Sequence, residues 1–340
     1  MIGFGSYLKD YLEYNNISQS EFALRLGIGQ KHMNEILSGK QTITLSMAAT
    51  IERLTDIPSN FIISIENKKI LVNELLKKYG NESNLKNIIK NNFCFNELKK
   101  NNWVNFKDET NIYQDCIDIL NFLNVKDFDA FENLKKYTLF KKTGNYYNKL
   151  ALWIAHCDKL VSNQKVKEYS SNCFNNLINE LLIESYKEDI NINNITNILN
   201  SYGIFFVCEK ALIGTKVRGC FKVKGKVPCI YVTKNYSAKD SFYFELFHEL
   251  GHCKSDYVMA QSKTIIDGDE IREKRADKFA IETMINSNKW IDIINIYNDE
   301  NELLKYSKNN KISMSFIVGR LAREKYIKYN SNIYNKYKNM

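Results

Sequence analysis

The chain has 340 residues with 48 basic and 39 acidic side chains, a formal net charge of +9. This length predicts two or three domains, and the 44% content of hydrophobic residues excludes a wholly disordered chain. The sequence contains no run of 18 apolar residues, so we expect no membrane-spanning helix. The first residues lack a basic segment followed by an apolar one, which predicts a cytoplasmic protein without a secretory signal.

The excess positive charge is concentrated at the end of the chain. Residues 1–70 carry seven basic and seven acidic side chains, whereas residues 301–340 carry nine basic and two acidic ones. The net charge of zero therefore gives the N-terminal region only a weak electrostatic attraction to DNA. The last segment interleaves tyrosines with Lys and Arg, which fits either a nucleic-acid-binding tail or a helical segment packed near the preceding domain.

The first 65 residues have the pattern of five short helices. Ser18 and Glu21 form a capping box before the second helix, and Gly27 has the position of a C-cap glycine. A third helix is expected over residues 30–37, with Met33 on its apolar face. A helix, a glycine turn and a short polar-faced helix are the arrangement of a helix-turn-helix DNA reader.

This region resembles the Cro/repressor-type helix-turn-helix, and specifically HigA-like antitoxins. The segments that carry the resemblance are SQSEFALRLGIGQKHMNEILSGKQTITLSMAATIERL and IPSNFIISIENKK. The resemblance implies a double-stranded DNA operator as partner, a phosphate contact from Gln19, and a third helix in the major groove that presents Gln30, Lys31, His32 and Asn34. A homodimer would double these contacts, and a helical interaction module without DNA binding is the alternative.

The rest of the chain divides into three further regions that differ in their hydrophobic pattern and composition. We predict the domains 1–70 (helix-turn-helix), 71–195 (helical middle region without a chemical motif), 196–290 (α+β) and 291–340 (basic helical segment). In the α+β region, strand-like runs YGIFFVCE, KVRGCFKVKG and VPCIYVT precede two long helices. Gly225 and Lys226 have the position of a turn, and Pro228 predicts an edge strand. Residues 237–240 and 267–270 are expected to cap the two helices.

The first of these helices contains the motif His248-Glu249-Leu250-Gly251-His252. Histidines four residues apart on a helix lie one turn apart on the same face, so both imidazoles can bind one ion. Zn²⁺ is the expected ion, with Mn²⁺ as the alternative, because two neutral imidazoles and a carboxylate suit it. The eight cysteines form no C-x-x-C pair and are expected to be reduced core residues.

The third ligand must come from another segment, because no histidine follows His252. Glu273 and Asp277 lie on one face of the next helix. Glu273 would complete a His-His-Glu set, and Asp277 would accept a hydrogen bond from a ligand imidazole. Glu270, at the start of the same helix, is the alternative ligand.

Residues 200–285 resemble the ImmA/IrrE family of metallopeptidases. The matching segments are GTKVRGCFKVKGKVPCIYV, DSFYFELFHELGH and EKRADKFA. The resemblance implies a gluzincin-like α+β zinc peptidase within a mainly α chain. It implies metal ligands at His248, His252 and Glu273, and a general base at Glu249.

Two functions fit this combination. In the first, a DNA-binding transcription regulator is fused to a zinc endopeptidase that cleaves a protein substrate, a repressor or another regulator. Its substrate strand would pair with Val227–Thr233, and Tyr231 and Arg218 are the candidates for stabilising the oxyanion. In the second, a HigA-like antitoxin or repressor uses its zinc domain to sense or bind a partner with little proteolysis.

Overall fold

The computed structural model describes residues 3–106, 111–137, 145–262 and 270–340. The chain divides into two compact units, Met1–Asn121 and Phe122–Met340. The predicted class is confirmed at the level of a mainly helical protein with a small mixed sheet. The cap predicted at residues 267–269 lies outside the described residues.

The first unit is helical and has its own apolar core. Phe4, Leu8, Phe22, Met33 and Ile51 are all buried in that core. Its helices are α1 (Phe4–Tyr14), α2 (Gln19–Leu26), α3 (Gln30–Leu37), α4 (Leu45–Thr55), α5 (Ser59–Tyr79), α6 (Glu82–Asn92), α7 (Phe95–Lys100) and most of α8 (Ile112–Leu123).

The predicted helix ends in this unit are confirmed. The Ser18 hydroxyl accepts a hydrogen bond from the Glu21 amide at 3.1 Å and caps α2. Gly27 follows α2 with a φ of 73°, the left-handed backbone that favours glycine at this position. The next helix has the predicted bounds Gln30–Leu37. The α2-turn-α3 unit is therefore encoded locally.

A buried carboxylate fixes the loop that follows α3. Glu66 on α5 accepts hydrogen bonds from the amide of Phe4 at 2.8 Å and from that of Ile43 at 3.3 Å. On the next turn, the Lys69 ammonium donates to the Gly39 carbonyl at 2.6 Å. Buried charges are stabilised when they are fully hydrogen-bonded, so α5 holds the exit of α3 and the start of α1 in place.

The second unit combines a small sheet with helices. The sheet has the order β1-β3-β2, and its strands are β1 (Phe205–Glu209), β2 (Gly219–Lys224) and β3 (Val227–Thr233). The helices are α9 (Phe128–Tyr137), α10 (Asn145–Leu160), α11 (Phe174–Ser185), α12 (Ile192–Ser201), α13 (Lys239–Ala260), α14 (Glu270–Met284), α15 (Ser287–Ile296), α16 (Glu300–Asn310), α17 (Met314–Arg323) and α18 (Asn332–Tyr337).

The central strand of the sheet is β3, which is parallel to β1 and antiparallel to β2. Gly225, with a φ of 65°, forms the predicted turn between β2 and β3. The edge position predicted from Pro228 is wrong. The β1–β3 ladder begins only where Phe205 pairs with Cys229, so Pro228 lies before that ladder and its missing N–H removes no β1 bond.

The basic C-terminal segment contributes to the core of the second unit. Tyr334 and Tyr337 are buried in the same cluster as Phe242 and Leu246 of α13. Tyr329 is 56% exposed and packs edge-to-face against Tyr334. This packing favours the interpretation of residues 301–340 as a docked helical segment.

The same segment holds the beginning of α13. The side-chain cap predicted within residues 237–240 is wrong, because Ala238 occupies the N-cap position. The Lys239 amide instead donates to the Lys338 carbonyl, and the Asp240 amide donates to the Ser315 hydroxyl, both at 2.9 Å. These bonds satisfy amides that a helix start leaves without an internal partner.

Candidate metal centre and DNA-reading helix

The two motif histidines of α13 point at a common position. Their Nε2 atoms lie 3.1 Å apart, and both side chains are buried. One helical turn separates His248 from His252, which places both imidazoles on the same face of α13. The predicted pairing of the two rings is therefore observed.

The neighbouring helix α14 brings Glu273 to this position. One carboxylate oxygen lies 3.3 Å from Nε2 of His248, and the other lies 3.4 Å from Nε2 of His252. Glu270, the alternative ligand, is exposed and pairs with Lys274 at 2.7 Å. The structure thus gathers the set His248, His252 and Glu273.

Both histidines are oriented from behind by carboxylates. Nδ1 of His248 lies 2.9 Å from Asp277, as predicted, and Nδ1 of His252 lies 2.9 Å from Asp256. An ionised carboxylate only accepts, so each Nδ1 donates to its carboxylate, and with a metal bound each Nε2 would direct its lone pair at the shared position.

Asp256 belongs to this candidate site and was not predicted from the sequence. It lies one turn after His252 on the same helix, so the i, i+4 spacing that links the two histidines also identifies it. Arg275 forms an ion pair with Asp256, and Arg272 lies 3.9 Å from the same carboxylate oxygen. These contacts balance the buried charge of Asp256.

The donor set fits a divalent transition-metal ion. Two imidazole lone pairs and one carboxylate converge within 4.8 Å of one another, and each imidazole is fixed by a carboxylate on its other side. A three-residue set of this composition is typical of catalytic zinc sites, which keep one coordination position open. Metal binding by this set stays a prediction.

A close approach between α13 and α14 makes this geometry possible. A Cβ atom at Gly251 would lie 3.1 Å from Cα of Ala276 and 3.2 Å from the ring of Phe279. A larger residue at this position would move α14 away, and Glu273 with it. The glycine inside the motif therefore has a packing role.

Glu249 is buried beside the histidines. The start of β2 approaches it so closely that a Cβ at Gly219 would overlap the Glu249 carboxylate and lie 2.7 Å from that of Glu245. Burial raises the pKa of Glu249, and the charges of Glu245 and Glu273 add to the rise. Burial would lower the pKa of His248, but its hydrogen bond to Glu273 and the surrounding carboxylates raise it to about 9. The carboxylates of Glu245, Glu249 and Glu273 together favour a positive charge at the position that they surround.

The two oxyanion candidates have different surroundings. Tyr231 is fully buried, and its hydroxyl donates to Asp158 at 2.7 Å, so it is engaged within the sheet-helix packing. Arg218 is exposed, and its charge lowers the pKa of Glu245, one turn before Glu249. Only Arg218 remains a candidate after this comparison.

In the first unit, α3 has the two faces that its pattern predicts. Met33, Ile36 and Leu37 are buried in the core, and the polar side is exposed. The side-chain Nε2 of Gln30 donates to Oδ1 of Asn34 at 3.0 Å. This bond joins two of the predicted base-reading side chains along one face of the helix.

The other predicted DNA contacts lie at the expected positions on α2 and α3. Lys31 is exposed in the first turn of α3, where helix N-terminal groups approach DNA in helix-turn-helix proteins, and His32 beside it is half-buried. Gln19 is half-buried as the first residue of α2. DNA contact by each side chain stays a prediction.

A family model described as helix-turn-helix matches residues 8–62. This match supports a DNA-binding transcription regulator, and it covers α2 and α3 with their connecting turn. No curated protein and no solved structure matches the chain. Within the described residues, no helix has the length and apolar character needed to cross a membrane.

Proposed function

We propose that this protein is a DNA-binding transcription regulator joined to a zinc-dependent endopeptidase of the ImmA/IrrE type. The observation that carries the enzymatic part is the convergence of His248, His252 and Glu273, with both imidazoles held by carboxylates. The resemblance of residues 200–285 to the ImmA/IrrE family supports the same assignment.

The proposed chemistry is hydrolysis of a peptide bond. His248, His252 and Glu273 would hold the zinc, which would supply a Lewis acid and lower the pKa of bound water to about 7. The Glu249 carboxylate takes a proton from the attacking water and returns it to the amine that leaves. Its buried position beside both histidines and its raised pKa suit a group that holds a proton between these two steps.

The substrate strand needs a different partner from the one that the sequence suggested. Pairing with Val227–Thr233 is excluded, because β3 has β1 on one side and β2 on the other. The outer edge of β2 has no strand partner among the described residues, and Gly219 at its start lies against Glu249. We therefore assign substrate pairing to β2.

A regulator that binds an operator and cuts a protein suits a repressor or another regulator as substrate. The DNA-binding unit would bring the peptidase to proteins at the same operator. Dimerisation would place two copies of α3 on successive half-sites and offset the zero net charge of residues 1–70.

To test the proposal, the full-length protein is incubated with zinc and with candidate repressors encoded beside its gene, and cleavage of these repressors is measured. Glu249→Gln should bind zinc as the wild type does and lose at least a hundredfold in cleavage rate. Glu270→Gln is the matched control on an exposed glutamate and should cleave at the wild-type rate. Zinc binding without cleavage by the wild type would overturn the peptidase and favour a sensing or partner-binding domain. Full cleavage by Glu249→Gln would overturn the role of Glu249.

A further inference from the structure

A concave site in the second unit shares no lining residue with the metal centre. It is a cavity of about 740 Å³ between the C-terminal ends of α11 and α14, the start of α15 and the turn from α16 to α17. Pockets of about 300–1,000 Å³ are typical for small organic ligands. The volume therefore suits a whole small molecule.

The wall of this cavity is apolar. Leu182 from α11, Met284 from α14, and Ile312 and Phe316 beside the turn line it. Ile183, which also lines the cavity, is 66% exposed. An apolar surface of this kind is stabilised when a ligand removes it from water.

The charged side chains that line the cavity are positive. Lys289 and Lys311 line it together with the amides of Asn179, Asn286 and Asn310. No aspartate or glutamate lines it among the described residues. Ammonium and amide N–H groups bind carboxylate and other oxyanions, and two lysines repel a cation.

We propose that this cavity binds a small organic anion with an apolar body, such as an aliphatic carboxylate. The apolar wall takes the body, and Lys289 and Lys311 take the anionic group. The site is independent of the proposed peptidase, because none of its lining residues belongs to the metal centre.

The test is calorimetric titration of the full-length protein with octanoate, and with 1-octanol as the uncharged probe of the same chain length. The wild type should bind octanoate at least tenfold more tightly than 1-octanol. Lys289→Glu should remove this preference, because it places a negative charge beside the anionic group.

The fold should survive Lys289→Glu. Residue 289 is the third residue of α15, and its amide already donates to the Asn286 cap at 3.0 Å. A glutamate at this position of a helix completes a capping box and suits the helix dipole. Circular dichroism checks that the helical content is unchanged.

Lys305→Glu, on α16 outside the lining residues, is the control for the same change in net charge. It should keep the octanoate preference.

Thr283→Trp adds an indole to the cavity wall and should weaken the binding of both probes. Equal binding of octanoate by wild type and Lys289→Glu would overturn the proposal, as would absence of octanoate binding at millimolar concentration. Binding of an acidic peptide without octanoate binding would also overturn it and assign the surface to a protein partner.

Discussion

The helix-turn-helix of the first unit and the metal centre of the second depend on different kinds of sequence information. In the first, Ser18, Glu21 and Gly27 define a helix and its ends within ten residues, and a family model matches residues 8–62. In the second, α13 and α14 contribute to the centre, and the first amides of α13 donate hydrogen bonds to the C-terminal segment.

This difference shows why one region is identified by a sequence model while the other rests on geometry. A turn between two helices is a local feature, so a profile along the chain describes it. A metal centre is defined by atoms that meet in space, and its evidence is the convergence of Nε2 atoms and a carboxylate. The two regions should therefore respond independently to substitution.

The largest effect should come from His252→Ala, which removes one of three predicted ligands. Structural zinc sites of four ligands bind with roughly 10–16 kcal/mol, or about 2.5–4 kcal/mol per ligand, so we expect zinc affinity to fall by roughly 100- to 1,000-fold. Competition with a chelating dye measures this loss in the full-length protein. His32→Ala is the matched substitution in the other region and should weaken operator binding without changing zinc affinity. An equal loss of zinc affinity in both variants would contradict the separation of the two sites.

Asp256→Asn should have the next largest effect. The substitution keeps the shape of the side chain but removes the charge that holds Nδ1 of His252 and pairs with Arg275. Loss of such a supporting carboxylate lowers metal affinity by roughly 10–100-fold, measurable by the same competition. Asp292→Asn, on α15 and away from the ligands, serves as control. Unchanged zinc affinity in Asp256→Asn would remove Asp256 from the site.

Asp240, at the start of α13, predicts a dependence of stability on pH. Burial raises its pKa to about 6 from the ordinary value of 3.8. The folded state then binds this proton more tightly than the unfolded state, so the free energy of unfolding falls as pH rises from 4 to 7. Asp240→Asn should remove about 2–3 kcal/mol of that change, measured by urea unfolding at a series of pH values. The exposed Asp10→Asn should keep the wild-type profile, and a wild-type profile in Asp240→Asn would contradict the account.

The smallest effect should come from Lys31→Gln on α3. Removal of one phosphate contact should weaken operator binding and lower the slope of its logarithmic salt dependence by about one. Fluorescence anisotropy at several salt concentrations measures both. Lys9→Gln, which breaks only an exposed pair with Glu13 on α1, should leave the slope unchanged. A slope that does not change in Lys31→Gln would exclude contact of this residue with phosphate.

The sequence was sufficient for features set by spacing along one helix. The pairing of His248 with His252 and the buried face of α3 follow from helical periodicity, and both are observed. For the third ligand, the sequence predicts Glu273 with Glu270 as the alternative. The close contact of α14 with α13 at Gly251 brings Glu273 to the histidines.

The errors have a common physical origin in contacts between distant segments. Pro228 predicted an edge strand because a proline lacks an N–H, but the β1 ladder starts one residue later. The cap expected within residues 237–240 is replaced by hydrogen bonds that the amides of α13 donate to Ser315 and Lys338, residues far along the chain. Asp256 is the reverse case, since its i, i+4 spacing from His252 is a local signal within one helix.

We propose that two imidazoles and one carboxylate of this chain bind a single zinc ion. Zinc K-edge X-ray absorption of the full-length protein with one equivalent of zinc tests this directly. We expect one tightly bound ion with two imidazole nitrogens at about 2.0–2.1 Å and oxygen ligands in the remaining positions. Glu270→Gln should give the same spectrum, whereas Glu273→Gln should change the oxygen shell. A sulfur-rich shell, a shell without imidazole, or no retained zinc would contradict the account.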